Sequence, residues 1–263
     1  MSFRLLFVGD VVGEAGVEAV VGLVPGLREE LGLDAVVVNG ENSAPGGRGI
    51  TEEGSAALLS VADFLTLGNH AFDAEGKFQE RETRVARPAN LGADLPGRGW
   101  GTFDAGGVRV GVANVLGRVF LDEGMASPFA AADRAVVALR EAGADLILVD
   151  VHAEATSEKQ AMGFHLDGRA EVVVGTHTHV PTADERVLPG GTAYATDVGM
   201  TGREGSIIGF DRGDFMALFL GRPRRINVAT DGPVIFRAVV VDLDVEARRA
   251  TGIERLTRGW PAP

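Results

Sequence analysis

Up to His179, short apolar runs recur along the chain, and nearly every one stops at a residue able to bind a metal or move a proton. The runs are Phe3 to Val8, Ala35 to Val38, Phe64 to Leu67, Leu146 to Val151 and Val172 to Val174. They lead into Gly9-Asp10, Asn39-Gly40-Glu41-Asn42, Gly68-Asn69-His70, His152 and Gly175-Thr176-His177-Thr178-His179. A further run, Val108 to Val112, follows a Gly-Gly turn and carries no such residue. Runs of this length read as buried strands. Helical patterns lie between them, and that alternation predicts an α/β fold with parallel pairing. In open α/β sheets, ligands bind beyond the carboxyl ends of the strands. Asp10, Glu41, Asn69, His70, His152, His177 and His179 are all expected at that edge.

The first helical segment carries Val17, Val20, Val21, Val24, Leu27 and Leu31 at helical spacing, and Pro25 should kink or divide it. Thr51 reads as the N-cap of a second helix, with Glu52 and Glu53 in its first turn. Helices are expected near Ala131 to Glu141 and over Ser157 to Leu166, the latter with Ser157 and Gln160 in capping-box positions. After Pro189-Gly190-Gly191, Thr192 to Thr196, Met216 to Leu220 and Ile235 to Val241 read as strands, which suggests late antiparallel hairpins. Arg255 to Pro263 reads as a surface tail. With no repeat, low-complexity tract or long linker, a single domain over residues 1–263 is expected.

The 263 residues are 45% hydrophobic, enough for one sizeable core. The absence of Cys excludes disulfides, thiolate zinc sites and cysteine nucleophiles. A net charge of −12 argues against binding to an extended nucleic-acid duplex, but not against a small phosphate compound, because bound cations reverse the potential locally. No apolar run approaches the roughly 20 residues of a membrane helix, and no leader pattern precedes the first strand, so no membrane association and a cytoplasmic location are expected.

Four of the five histidines fall at strand ends. With the carboxylates of Asp10 and Glu41 and the amide of Asn69 they form a mixed oxygen and nitrogen donor set, too large for one metal and suited to two. Each member has a plainer reading in isolation. Asp10 could cap a helix, Asn69 could stabilise a turn, and a His-x-His pair could lie on a surface loop. Pleating would place His177 and His179 on one side of a strand, and a turn would still keep them close. His165 falls outside these positions and reads as structural or exposed. Gly46-Gly47-Arg48-Gly49 lacks the ending of a P-loop; Arg48 reads as solvated, within reach of a phosphate.

Gly68-Asn69-His70, His152 after a strand, and Gly175-Thr176-His177-Thr178-His179 resemble the signature of calcineurin-type metallophosphoesterases. Two departures matter: Val12 stands where that superfamily has His, and Glu41 where it has the bridging Asp. Both match the YmdB-like branch of cyclic-nucleotide phosphodiesterases. So do Asn39-Gly40-Glu41-Asn42, Thr176 to Thr182, Gly191 to Tyr194 and Asp197 to Met200, so that the resemblance spans Val8 to about Gly209. It implies a four-layer α-β-β-α sandwich of the metallophosphoesterase type with mixed sheets and a dinuclear centre. Asp10, Glu41, Asn42 and His179 would hold one metal, and Glu41, Asn69, His152 and His177 the other, with Glu41 bridging. Asn42 would fill the vacancy left by Val12. Hard oxygen donors beside imidazoles suit iron or manganese at least as well as zinc, and the resemblance points to iron or manganese.

The expected activity is hydrolysis of a small phosphodiester, such as a 2′,3′-cyclic nucleotide. A metal-bridging hydroxide would attack in line and His70 would protonate the leaving oxygen. Two alternatives stay open: a phosphomonoesterase acting on a metabolite or protein, and a regulatory protein whose dimetal site is structural. The late strands could serve as the interface of a homo-oligomer or as a rim over the site.

Overall fold

In the computed structural model, which describes residues 1–121, 124–222 and 224–260, the chain opens with β1 (Ser2–Val8), β2 (Asp10–Val11) and α1 (Gly13–Leu31). There follow β3 (Ala35–Asn39), α2 (Glu52–Leu59), β4 (Phe64–Thr66), β5 (Val85–Ala86), β6 (Trp100–Ala105) and β7 (Val108–Leu116). Next come α3 (Pro128–Glu141), β8 (Leu146–His152), α4 (Thr156–Leu166), β9 (Val172–Thr176), β10 (Arg186–Val187) and β11 (Ala193–Ala195). The last elements are β12 (Met200–Arg203), α5 (Arg212–Phe219), β13 (Val234–Asp244) and β14 (Arg249–Trp260).

Two mixed sheets result. The first runs β2-β12-β13-β1-β3-β4-β5, with β14 paired to β13, and the second runs β10-β11-β9-β8-β7-β6. In the first, β1, β3, β4 and β5 are parallel; in the second, β7, β8, β9 and β11 are. Each early βαβ crossover therefore points its carboxyl end to the same edge of its sheet.

Alternation along the strands sorts side chains into three layers of packing. Phe3, Leu5, Phe7, Val37 and Phe64 of the first sheet meet Val110, Val112, Leu148, Val172 and Val174 of the second. Leu6, Val8, Val36 and Val38 point the other way, onto Val20, Val24 and Leu27 of α1 and Leu58 of α2. Ile147, Val149 and Val173 pack against Ala135 and Leu139 of α3 and Met162 of α4. Helices cover both outer faces, which is the expected four-layer α-β-β-α sandwich.

Several local expectations change. α1 passes through Pro25 as one helix, because Pro25 lies on its exposed face, where water can satisfy the carbonyl left without a donor. Thr51 does cap α2, accepting from the Gly54 N–H at 3.0 Å. α4 starts before the expected capping box, with Ala155 at its N-cap and no side-chain cap. Met216 to Leu220 is not a strand: Asp211 caps α5 by accepting from the Asp214 N–H at 2.9 Å, and Phe215 and Phe219 then stack one turn apart. Arg255 to Trp260 is not a tail, since it completes β14 against β13; residues 261–263 lie outside the described residues. β13 is no rim either, being flanked by β1 and β12.

Candidate active site

The carboxyl edges of the two sheets meet, and every residue expected to hold a metal lies there. Asp10, Glu41, Asn42 and Asn69 come from the first sheet; His152, His177 and His179 come from the second. Asp10, Glu41, Asn42, His152 and His179 are buried. Glu41 is central: its Oε1 lies 2.9 Å from His152 Nε2, and its Oε2 accepts from the His70 N–H at 3.0 Å. Asn69 Oδ1 lies 3.0 Å from His152 Nε2, and His177 Nδ1 lies 3.1 Å from the same nitrogen. Donor atoms of Glu41, His152 and His177 all fall within 4.8 Å of one another. Asp10 accepts from the His177 N–H and lies 3.9 Å from His179 Nε2.

The backbone is shaped for this convergence. A Cβ on Gly68 would collide with Glu41 Oε2 and His152 Nε2, so only glycine lets the chain leave β4 beside the two ligands. β9 stops at Thr176, and His177 (φ 98°) and His179 (φ 65°) are both left-handed. A turn, not strand pleating, brings the pair together. Such conformations are sparsely populated by non-glycine residues and persist where the surroundings enforce them.

Each imidazole is pinned from behind. His152 Nδ1 meets Thr176 Oγ1 at 2.8 Å, and that hydroxyl donates its one proton to Asp150 Oδ1 at 2.7 Å. Thr176 therefore accepts from His152 Nδ1–H, and Nε2 faces the donor cluster. His179 Nδ1 can only donate to the Ile208 carbonyl, at 2.7 Å, and this leaves Nε2 facing Asn42 Nδ2 at 3.1 Å. His177 Nε2 lies 3.1 Å from Glu154 Oε2, with Nδ1 turned inward. Holding the outer nitrogen is how proteins fix the tautomer of a metal-binding His.

At Glu41 and His152 burial opposes charge and the facing partner overrides it. Burial alone would raise the Glu41 carboxyl, but the facing His152 ring holds it at about 2. Burial would likewise lower His152, and the Glu41 carboxylate pushes it up to about 9. At half-buried His177, burial and the adjacent His152 act together and bring it down to about 3.

The residues fit a pair of divalent cations. Two ring nitrogens 3.1 Å apart require a proton or a cation between them. Two buried carboxylates, inward-facing imidazoles and two amides supply hard oxygen and borderline nitrogen donors. Asn42 turns its Nδ2 inward, donating to Glu41 Oε1 at 3.2 Å, and a half-turn of the amide presents Oδ1 instead.

His70 lies beside this cluster without joining it. Its Nδ1 meets Asp73 Oδ2 at 2.7 Å, so proton exchange with a bound molecule passes through Nε2. His70, Arg48, Glu154, His177 and His179 line a cavity of about 290 Å³ together with Ile208, Phe210 and Phe215. That is small-ligand size; pockets for such ligands start near ~300 Å³. A larger cleft of about 670 Å³, by Arg87 and Trp100, contains none of the donor residues. Arg48 is exposed, as expected, yet lines the cavity. His165 is remote, 2.8 Å from Asp133 and edge-on to Phe129.

Supporting residues not singled out beforehand are Asp73, Asp150, Glu154, Lys159, Thr176 and Asp197. Asp150 carried a readable signal: an acid inside an apolar strand, two residues before His152, on the same face.

The family model described as "YmdB-like protein" matches residues 6–256. The chain is 43% identical over 257 residues to a 2′,3′-cyclic-nucleotide 2′-phosphodiesterase of Bacillus subtilis, covering 96% of each sequence. It superposes with TM-score 0.90 on a hypothetical protein from Thermus thermophilus, at 42% identity, covering 98% of this chain and 100% of that one. A novel phosphatase from Mycoplasma pneumoniae also gives TM-score 0.90, at 30% identity, over 98% of this chain and 94% of the other.

Proposed function

The chain belongs to the YmdB-like protein family, and from that premise we propose that it is a metal-dependent phosphodiesterase whose substrates are 2′,3′-cyclic nucleotides. It is a hydrolytic enzyme; the assignment of substrate and of individual residue roles is our reading. Support comes from the 43% identical relative, whose named activity is on that substrate class. The observation that carries the mechanism is the pinning of three imidazoles around two buried carboxylates, beside a His that stays out of the cluster.

In this reading Asp10, Glu41, Asn42 and His179 hold one divalent cation, and Glu41, Asn69, His152 and His177 hold the second. When bound, the metal pair supplies positive charge at the phosphoryl oxygens and an acidified water as nucleophile. Iron or manganese suits these donors at least as well as zinc. The protein's own groups do the rest. Glu41 faces both donor sets, its Oε1 lying 2.9 Å from His152 Nε2 and 3.2 Å from Asn42 Nδ2. Arg48, on the rim, meets a phosphate oxygen with a mobile positive charge. His70, its Nδ1 held by Asp73, gives the Nε2 proton to the departing ribose oxygen. That geometry disfavours a purely structural metal site, which has no use for an oriented His outside the ligand set. Among the described residues no helix is long and apolar enough to cross a membrane; we propose action in the cytoplasm on a freely diffusing substrate.

The test is a rate comparison on the manganese-loaded protein with 2′,3′-cyclic AMP, 3′,5′-cyclic AMP, bis-p-nitrophenyl phosphate and p-nitrophenyl phosphate. Highest turnover is expected on 2′,3′-cyclic AMP, and Glu41→Gln should lose both bound metal and diesterase activity. Faster monoester hydrolysis would give the chain to the phosphatase reading. Wild-type rate and two metals in Glu41→Gln would overturn the bridging role.

A further inference from the structure

Part of the cavity lining is apolar: the side chains of Ile208, Phe210 and Phe215 offer no group that binds a phosphate or a metal. An apolar wall beside a strongly polar centre has a cost in exposed hydrophobic surface. Phe215 is half-buried, and Phe219, one turn further along α5, is 74% exposed. The rings form a row: Phe210 and Phe215 have centroids 5.8 Å apart, and Phe215 and Phe219 6.0 Å apart. Phe210 is buried, packs against Phe215 and lines the cavity with it.

The row is also tied to the metal cluster. Ile208 sits at φ 48°, a left-handed conformation that a β-branched residue rarely adopts, and its carbonyl accepts from His179 Nδ1 at 2.7 Å. One strained residue therefore serves the ligand His with its carbonyl and the apolar wall with its side chain. The distance between phosphate site and aromatic wall is set by that joint. A substrate that is anionic at one end and flat and aromatic at the other matches the two faces of the cavity.

We propose that Phe215, backed by Phe210, is the nucleobase platform of the substrate site and determines preference for nucleotides over base-free cyclic phosphates. This rests on the phosphodiesterase reading above. Every base has a π-face, so such a platform favours nucleotides as a class, with purines ahead of pyrimidines through their larger stacking area.

The experiment compares kcat/KM for 2′,3′-cyclic AMP with that for methyl ribofuranoside 2′,3′-cyclic phosphate, in manganese-loaded wild type, Phe215→Tyr, Phe215→Leu and Phe215→Ala. Losing one stacked base is expected to lower the ratio about 5- to 150-fold in the Ala and Leu variants, while Phe215→Tyr keeps it. Leu retains the apolar bulk that packing requires, so a ratio preserved in Phe215→Leu would reduce Phe215 to a packing residue and overturn the proposal. A wild-type ratio near one would overturn it as well. If wild type hydrolyses neither compound, the phosphodiesterase reading fails, and calorimetry still decides the platform. Adenosine 3′-monophosphate binding more tightly than ribose 3-phosphate, with the difference lost in Phe215→Leu, upholds it; equal binding overturns it.

Discussion

Behind each imidazole proposed as a ligand stands one group that settles which nitrogen carries the proton. For His152 that group is Thr176, whose hydroxyl can accept from the ring only because Asp150 takes the Thr176 proton at 2.7 Å. Thr176→Val keeps the shape and removes this link. The expected outcome is a loss of metal affinity of about 10- to 100-fold, the usual effect of deleting an outer-shell partner, read by manganese titration. Unchanged affinity would show that Asp10, 3.8 Å from the same nitrogen, can hold the ring alone. The donors themselves were legible because strand ends are marked in the sequence by a change from apolar to polar residues. The roles of Thr176 and Asp150 were not: Thr176 stands out only as part of the strand-end motif, and Asp150, although an acid inside an apolar run, reads with the core strand around it.

At the level of elements, the His177-Thr178-His179 turn owes its shape to α4 and to the segment before β12. Lys159 of α4 is fully buried, and its Nζ donates to Asp197 Oδ2 at 2.6 Å. The same carboxylate accepts from Thr178 through both N–H and Oγ1. A buried pair is costly to break, since the surviving partner is left charged away from water. Lys159→Met is expected to destabilise the protein by about 3–5 kcal/mol, measured by urea unfolding. A loss below ~1 kcal/mol would mean that Thr178 and the Gly199 N–H suffice to hold Asp197. Periodicity correctly located α1, α2 and the parallel strands β1, β3, β4, β7, β8 and β9; it missed β5, and it placed Thr192 to Thr196 among late antiparallel hairpins although β11 is parallel to β9. It misplaced Met216 to Leu220, where an apolar segment too short to separate strand from helix was decided by the Asp211 cap. It also missed β14, whose burial alternates only weakly along an edge strand beside β13.

Over the whole molecule, the two sheets are joined by more than apolar packing. Asn39, Thr66 and Thr176 are the last inward-facing positions of β3, β4 and β9, and Asp150, which precedes His152 on the same face of β8, joins them in one polar layer above the core. Asp150 accepts from Asn39 at 2.8 Å, Thr66 at 2.6 Å and Thr176 at 2.7 Å, so one carboxylate bonds across both sheets. Burial raises its carboxyl to about 6 despite these donors. Asp150→Ala would leave three buried donors without their acceptor, at about 1–3 kcal/mol each. The expected result is a loss of both unfolding stability and metal affinity. A variant that lost only stability would separate the sheet contact from the metal site.

The proposed ligand set is divided between the sheets, with Asp10, Glu41, Asn42 and Asn69 on one side and His152, His177 and His179 on the other. The first sheet, moreover, closes only when β13 pairs with β1 along its length, joining the beginning of the chain to a segment more than two hundred residues later. During synthesis, then, a nascent chain that has already exposed its carboxylates has no place to retain a cation. A site built on both groups of donors exists only once both sheets have formed, so retention of metal would report on completed folding.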